Sequence, residues 1–192
     1  MDSASRGRLV VISGPSGAGK TSVCRALKQD PRVEFSVSAT TRAMRPGERD
    51  GADYWFLSVE EFARREAAGE FLESASYNGR RYGTLRGPMA DALARGKVFV
   101  LEIEVQGTRQ LRERGVTGTY VFVVPPSMEE LRARLERRGS DSPAEIEARL
   151  RIAEQELGAS GLYDHVVVNH ELERTIDEVR RILGLSILGL SR

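Results

Sequence analysis

One segment near the N-terminus constrains this chain more than any other: Gly14-Pro15-Ser16-Gly17-Ala18-Gly19-Lys20-Thr21. It fits the phosphate-binding loop pattern, in which two glycines enclose four residues and are followed by Lys and a hydroxyl residue. Such a loop operates between a buried parallel strand and the first turn of a helix, so it commits the chain to an α/β fold. Both flanks comply. Leu9 to Ser13 is a β-branched run suited to a buried strand, and Lys20 to Gln29 has a helical pattern. The glycines let backbone N–H groups converge on phosphate oxygens, and the helix directs its positive end at the same anion. Lys20 is expected to reach the β- and γ-phosphates of a nucleotide and Thr21 to bind Mg²⁺.

The rest of the chain alternates strand and helix. Val98–Ile103, Tyr120–Val124 and His165–Asn169 read as further buried strands. Three capping-box pairs, Ser58/Glu61, Ser127/Glu130 and Ser142/Glu145, mark helix starts, with Pro143 at a first helical position. Apolar stripes at Met128, Leu131 and Leu135, at Ile146, Leu150 and Leu157, and at Leu172, Ile176, Val179 and Leu183 read as core faces. Residues 34–88 break the alternation. They read as a small insertion of antiparallel strands with one helix near Val59 to Ala68, set into a core formed by 1–33 and 89–192. The expected fold class is therefore α/β: a P-loop core with a parallel sheet flanked by helices, a small mixed antiparallel insertion and an Arg-rich lid.

Composition narrows the function. The 192 residues carry 29 Lys and Arg against 28 Asp and Glu, a net charge of +1, which gives no general reason to bind nucleic acid. No apolar run approaches the roughly 18 residues needed to span a membrane, and the N-terminus lacks the apolar centre of a signal peptide. The single cysteine, Cys24, allows no internal disulfide. A cytoplasmic protein is expected, with a homo-oligomer possible. The guanine-reading Asn-Lys-x-Asp segment of regulatory GTPases is absent from the sequence.

The segment Ser36-Val37-Ser38-Ala39-Thr40-Thr41-Arg42, followed by Arg45-Pro46-Gly47-Glu48, sets two arginines three residues apart beside hydroxyls. That arrangement can grip a phosphate through several charge-assisted bonds. Gly51-Ala52-Asp53-Tyr54-Trp55-Phe56, Tyr82-Gly83-Thr84 and Leu101-Glu102-Ile103-Glu104-Val105-Gln106-Gly107 complete the set. With the P-loop, these motifs resemble bacterial guanylate kinases along the whole chain. The resemblance implies transfer of a phosphoryl group from Mg²⁺-ATP to GMP, giving ADP and GDP. By the same resemblance Arg42, Arg45, Tyr54 and Tyr82 hold the GMP phosphate, and Ser38, Glu73 and Thr84 read the base. Asn169 lies near the adenine of ATP. Many relatives carry Asp at both positions where this chain has Glu102 and Glu104. One of the two is expected to serve the metal with Thr21 and the other GMP, and the assignment between them stays open.

Arg132, Arg134, Arg137, Arg138, Arg149 and Arg151 cluster around a segment resembling the family's lid, about 136–148. Arg134, Arg138 and Arg149 are expected to face the transferring phosphates, with Lys20 and Arg42. The other three are expected to be solvent-facing. Two rival readings are a guanylate-kinase-like protein-binding module without turnover and a related P-loop kinase acting on a phosphorylated sugar. The intact Lys20, Thr21, Arg42 and Arg45 disfavour the first, and the complete acceptor motif set disfavours the second.

Overall fold

The computed structural model describes residues 7–77, 79–139 and 141–185, the side chains of Tyr77 and Arg138 excepted. The expected role of the Arg138 side chain, and the apolar tail with Ile187 and Leu188, therefore lie outside the described residues. The core sheet is fully parallel. It contains β1 (Arg8–Ser13), β2 (Val33–Phe35), β7 (Val98–Glu102), β8 (Thr119–Val124) and β9 (His165–Val168), in the order β2-β7-β1-β8-β9.

The strands are apolar on both faces because helices cover both. Leu9, Val11, Phe99, Leu101, Tyr120 and Phe122 fill one side. That side faces α3 (Arg86–Ala94) and α4 (Val105–Glu113). Val10, Ile12, Val98, Val100, Val121 and Val123 fill the other, with residues of α1 (Lys20–Leu27) and α7 (Leu172–Ile182). The period-2 alternation of strand side chains thus becomes two separate buried layers. Cys24 packs in the second layer, where burial pushes its thiol pKa up. Leu172, read as part of a core stripe, is exposed: it opens α7, one turn before the helix meets the sheet.

The second sheet is mixed, in the order β4-β3-β6-β5, with β3 (Ala39–Thr40), β4 (Trp55–Phe56), β5 (Phe71–Tyr77) and β6 (Arg80–Leu85). β3 runs parallel to β4 and antiparallel to β6. This sheet and α2 (Val59–Ala67) bury their own cluster of Ala39, Phe62, Phe71 and Leu85, with Phe62 stacked on Phe71 at 4.4 Å between centroids. Leu72 points the other way, into the core layer beneath α4. Strand β2 went unread in the sequence. Glu34 and Phe35 pair with Phe99 and Val100, so the core sheet extends past a boundary drawn at 34.

Helices α5 (Met128–Arg138) and α6 (Pro143–Leu157) form a hairpin with its own cluster: Leu131, Leu135, Ile146, Leu150 and Ala153. The full capping box closes only at Ser142, where Glu145 returns a bond to the Ser142 N–H at 2.7 Å. At Ser58 and Ser127 the serine accepts from the helix, but the partner carboxylates are taken by arginines. Glu61 accepts from Arg64 and Arg65, and Glu130 from Arg134 and Arg137. No helix among the described residues is long and apolar enough to cross a membrane.

Candidate active site

The P-loop emerges at the carboxyl end of β1, where ligands of parallel sheets bind. Gly19 caps α1 with φ 103, a conformation that L side chains rarely adopt, and a Cβ there would lie 2.1 Å from Asn169 Nδ2. Lys20 folds along the loop, its ammonium donating to the Gly14 carbonyl and, at 3.2 Å, to that of Pro15. Thr21 Oγ1 donates to Glu102 Oε1 at 3.1 Å. A hydroxyl and a carboxylate so placed at the mouth of a phosphate loop are hard oxygen donors of the kind Mg²⁺ takes. Among the described residues no group of three or more His, Cys, Asp or Glu side chains stands together as a metal site. An ion at Thr21 would therefore complete its shell with phosphate oxygens and water, as Mg²⁺ does in such enzymes.

The two carboxylates of the Leu101–Glu104 stretch part company. β7 ends at Glu102, not beyond it; Glu104 occupies the N-cap position of α4. Glu102 lines a cleft of about 250 Å³ between the two sheets, together with Ile103, Phe35, Ser38, Tyr54 and Thr84. Glu104 stands instead beside Glu156, near the end of α6. Burial and the Glu104 charge push the Glu156 pKa up to about 7 against an ordinary value of 4.5. Lys20 is close enough to pull it partly back. Glu156 was not read from the sequence. Beneath it the buried Ser13 and Tyr163 hydroxyls find no hydrogen-bond partner among the described residues.

On the insertion side, Glu73 is 6% exposed. Thr84 Oγ1 donates to Glu73 Oε1 at 2.7 Å, and burial pushes the carboxyl pKa up while the Thr84 bonds oppose it. A β-bulge between Phe71 and Glu73 re-aims this part of β5. Gly107 of α4 approaches so closely that a Cβ there would lie 3.1 Å from Glu73 Oε2. Ser38, expected with this pair, lines the same cleft.

Arg42 and Tyr82 pack on Tyr54, which lines the cleft. Tyr54 and Tyr82 pack edge to face at 6.1 Å, and the Arg42 guanidinium lies 5.3 Å from the Tyr54 ring centroid. Glu48 grips Arg42 at 2.7 and 3.0 Å and accepts the Arg45 backbone N–H at 2.7 Å. These bonds hold the Glu48 carboxyl below its ordinary pKa. Arg45 joins the group through its backbone; its side chain is exposed.

The lid arginines divide. Arg149 reaches the P-loop, donating to Ser16 Oγ at 3.0 Å and to Asp141 at 3.3 Å. Arg134 spends its donors on Glu130 and on the carbonyls of Asn169 and Ala18, at 3.0, 2.8 and 3.4 Å. Asn169 is buried, donating to the Ala18 carbonyl at 2.7 Å and accepting from Thr175 at 3.0 Å. Both residues therefore brace the back of the P-loop. Arg132 and Arg137 pair with Glu147 and Glu130 at the surface, and Arg151 is exposed.

Comparison with known proteins fits this geometry. A family model described as guanylate kinase matches residues 6–185. A guanylate kinase of Symbiobacterium thermophilum is 47% identical over 179 residues, 93% of this chain and 85% of its own length. One of Desulfitobacterium hafniense is 46% identical over 178 residues, 92% of this chain and 89% of its own. Among solved structures, a guanylate kinase of Anaplasma phagocytophilum superposes with a TM-score of 0.72 at 34% identity, covering 97% of this chain and 89% of that one. With residues 6–185 matched by the family model and relatives 46–47% identical over more than nine-tenths of its length, the chain belongs to the guanylate kinase family.

Proposed function

We propose that the chain transfers the γ-phosphoryl group of Mg²⁺-ATP to GMP, giving ADP and GDP. The observation that carries this reading is that Thr84, which holds the buried Glu73, lines one cleft with Ser38, Tyr54 and Glu102, while Arg42 lies against Tyr54. Guanine presents an acceptor at O6 and adjacent donors at N1 and N2. The Ser38 hydroxyl serves the first, and the Glu73 carboxylate, held by the Thr84 hydroxyl, accepts from the other two. Adenine has no matching donor pair and would leave Glu73 buried and unpaired, which is costly.

Arg42, Arg45, Tyr54 and Tyr82 hold the acceptor phosphate. The P-loop N–H groups and Lys20 hold the β- and γ-phosphates, and Arg149 spreads charge over the γ-oxygens from the lid. Arg138 belongs to the same lid segment. Thr21 and Glu102 hold Mg²⁺, which neutralises charge on the phosphate oxygens when bound. An acceptor phosphate oxygen forms the new bond to the γ-phosphorus, while the bond from that phosphorus to the β–γ bridging oxygen breaks. The electron pair leaves with ADP. The acceptor oxygen is already anionic, so no general base is assigned to His165 or His170. Asn169 and Arg134 act from behind the loop, keeping the cradle in shape for the nucleotide.

A screen of acceptors tests the reading. ADP should form only with Mg²⁺-ATP and GMP together, with AMP, UMP and dTMP poor. Turnover of AMP equal to that of GMP would overturn the assignment of base recognition.

A further inference from the structure

We propose that Glu48 is a positioning residue for the acceptor phosphate: it holds Arg42 by one edge of its guanidinium so that the opposite edge is presented to the ligand. The proposal rests on the GMP reading above.

The argument is a count of donors. An arginine side chain carries five N–H bonds in a fixed plane. Arg42 Nη1 donates to Glu48 Oε2 at 3.0 Å and to the Ala43 carbonyl at 2.8 Å. Its Nη2 donates to Glu48 Oε1 at 2.7 Å. Three donors are thus committed on the end-on edge and beside it. The two that remain, one on Nε and one on Nη2, are the parallel pair of the side-on edge. That pair matches two oxygens of a phosphate. Among the described residues no carboxylate or carbonyl accepts from it. The Tyr82 hydroxyl stands within reach of the guanidinium and is the neutral neighbour of that edge.

The plane itself is fixed. The rings of Tyr54 and Phe56 lie 5.3 and 5.6 Å from the guanidinium carbon. Glu48 is fixed in turn, because its N–H donates to the Arg45 carbonyl at 3.1 Å across the Pro46-Gly47 turn. The same carboxylate accepts the Arg45 N–H at 2.7 Å, so one group sets both arginines of the motif. A carboxylate facing a phosphate directly would be adverse, since like charges repel. Here it faces the far edge of the cation, with the whole guanidinium between it and the ligand.

The test compares GMP with guanosine, which carries the base and no phosphate. Binding of each to the wild type, Glu48→Gln and Glu48→Ala is measured by calorimetry, together with KM for GMP and for ATP. In Glu48→Ala, GMP binding should weaken about 10- to 100-fold, the loss expected for a misdirected charge-assisted contact. Guanosine binding and KM for ATP should hold within about twofold. Glu48→Gln should fall between, because its amide oxygen still accepts one arginine bond. Equal weakening of GMP and guanosine, or unchanged GMP binding, would overturn the proposal. If Glu48→Ala does not fold, Glu48→Gln carries the same comparison. Failure of the wild type to phosphorylate GMP would fall on the acceptor assignment alone, because the contrast between GMP and guanosine is read by binding.

Discussion

Thr84 Oγ1 sits 2.7 Å from Glu73 Oε1, so the carboxylate is held by a neighbouring strand before any base arrives. A recognition group fixed in advance does not have to be ordered on binding. Glu73→Ala should lower the preference for GMP over AMP by roughly 100-fold or more, read as the ratio of kcat/KM values. An unchanged ratio would remove Glu73 from base recognition.

The same carboxylate is crowded by the α4 backbone. Gly107→Ala adds a methyl 3.1 Å from Glu73 Oε2. Alanine favours a helix interior by about 1 kcal/mol over glycine, which offsets the crowding against Glu73 and, at 3.2 Å, Ile103 Cδ1, so thermal stability should change little. KM for GMP should nevertheless rise, because the methyl displaces Glu73. A variant with lowered Tm and unaltered KM would contradict this.

Lys20 contacts loop carbonyls and supports no buried cluster. Lys20→Ala should therefore reduce transfer by about 100-fold or more while leaving the far-UV circular dichroism spectrum unchanged. An unfolded variant would show that the ammonium serves the fold.

Glu156 makes stability depend on pH. Its folded pKa of about 7 lies above the ordinary 4.5, so between these values the folded state holds a proton that the unfolded state has released. The stability associated with protonated Glu156 is fully present below about pH 4.5 and is lost as pH rises through 7. Glu156→Gln should flatten the profile of Tm against pH over that window. Because Glu104 is its partner, the two carboxyls are best followed as a pair. A variant retaining the wild-type slope would place the titration elsewhere.

The readings that held share one property: their residues are neighbours in sequence. The strand–P-loop–helix unit and the Ser142–Glu145 box each close over a few positions, so spacing alone exposes them. Strand β2 escaped because it is three residues long, half-buried and includes Glu34. The Glu104–Glu156 pair joins a helix start to a distant helix end, and no local pattern marks it. The resemblance leads to Arg134 and Asn169 being expected in a nucleotide site. The bond from Arg134 to the Asn169 carbonyl, and those from both side chains to the Ala18 carbonyl, depend on α5 and β9 converging behind the loop, a tertiary fact.

Among the described residues, Leu72 is the one member of the second sheet that enters the core cluster, and it precedes Glu73. The bonds around it, from Arg114 to the Leu72 carbonyl and between Gln110 and Ser74, tie the same edge strand to α4. The sheet is thus moored along β5, with β3 and β4 as its outboard side. Rotation about such a mooring barely displaces Glu73 and carries Arg42 and Tyr54 through the longest arc. On the proposed assignment, the base would be read at the fulcrum and the phosphate gripped at the end of the lever.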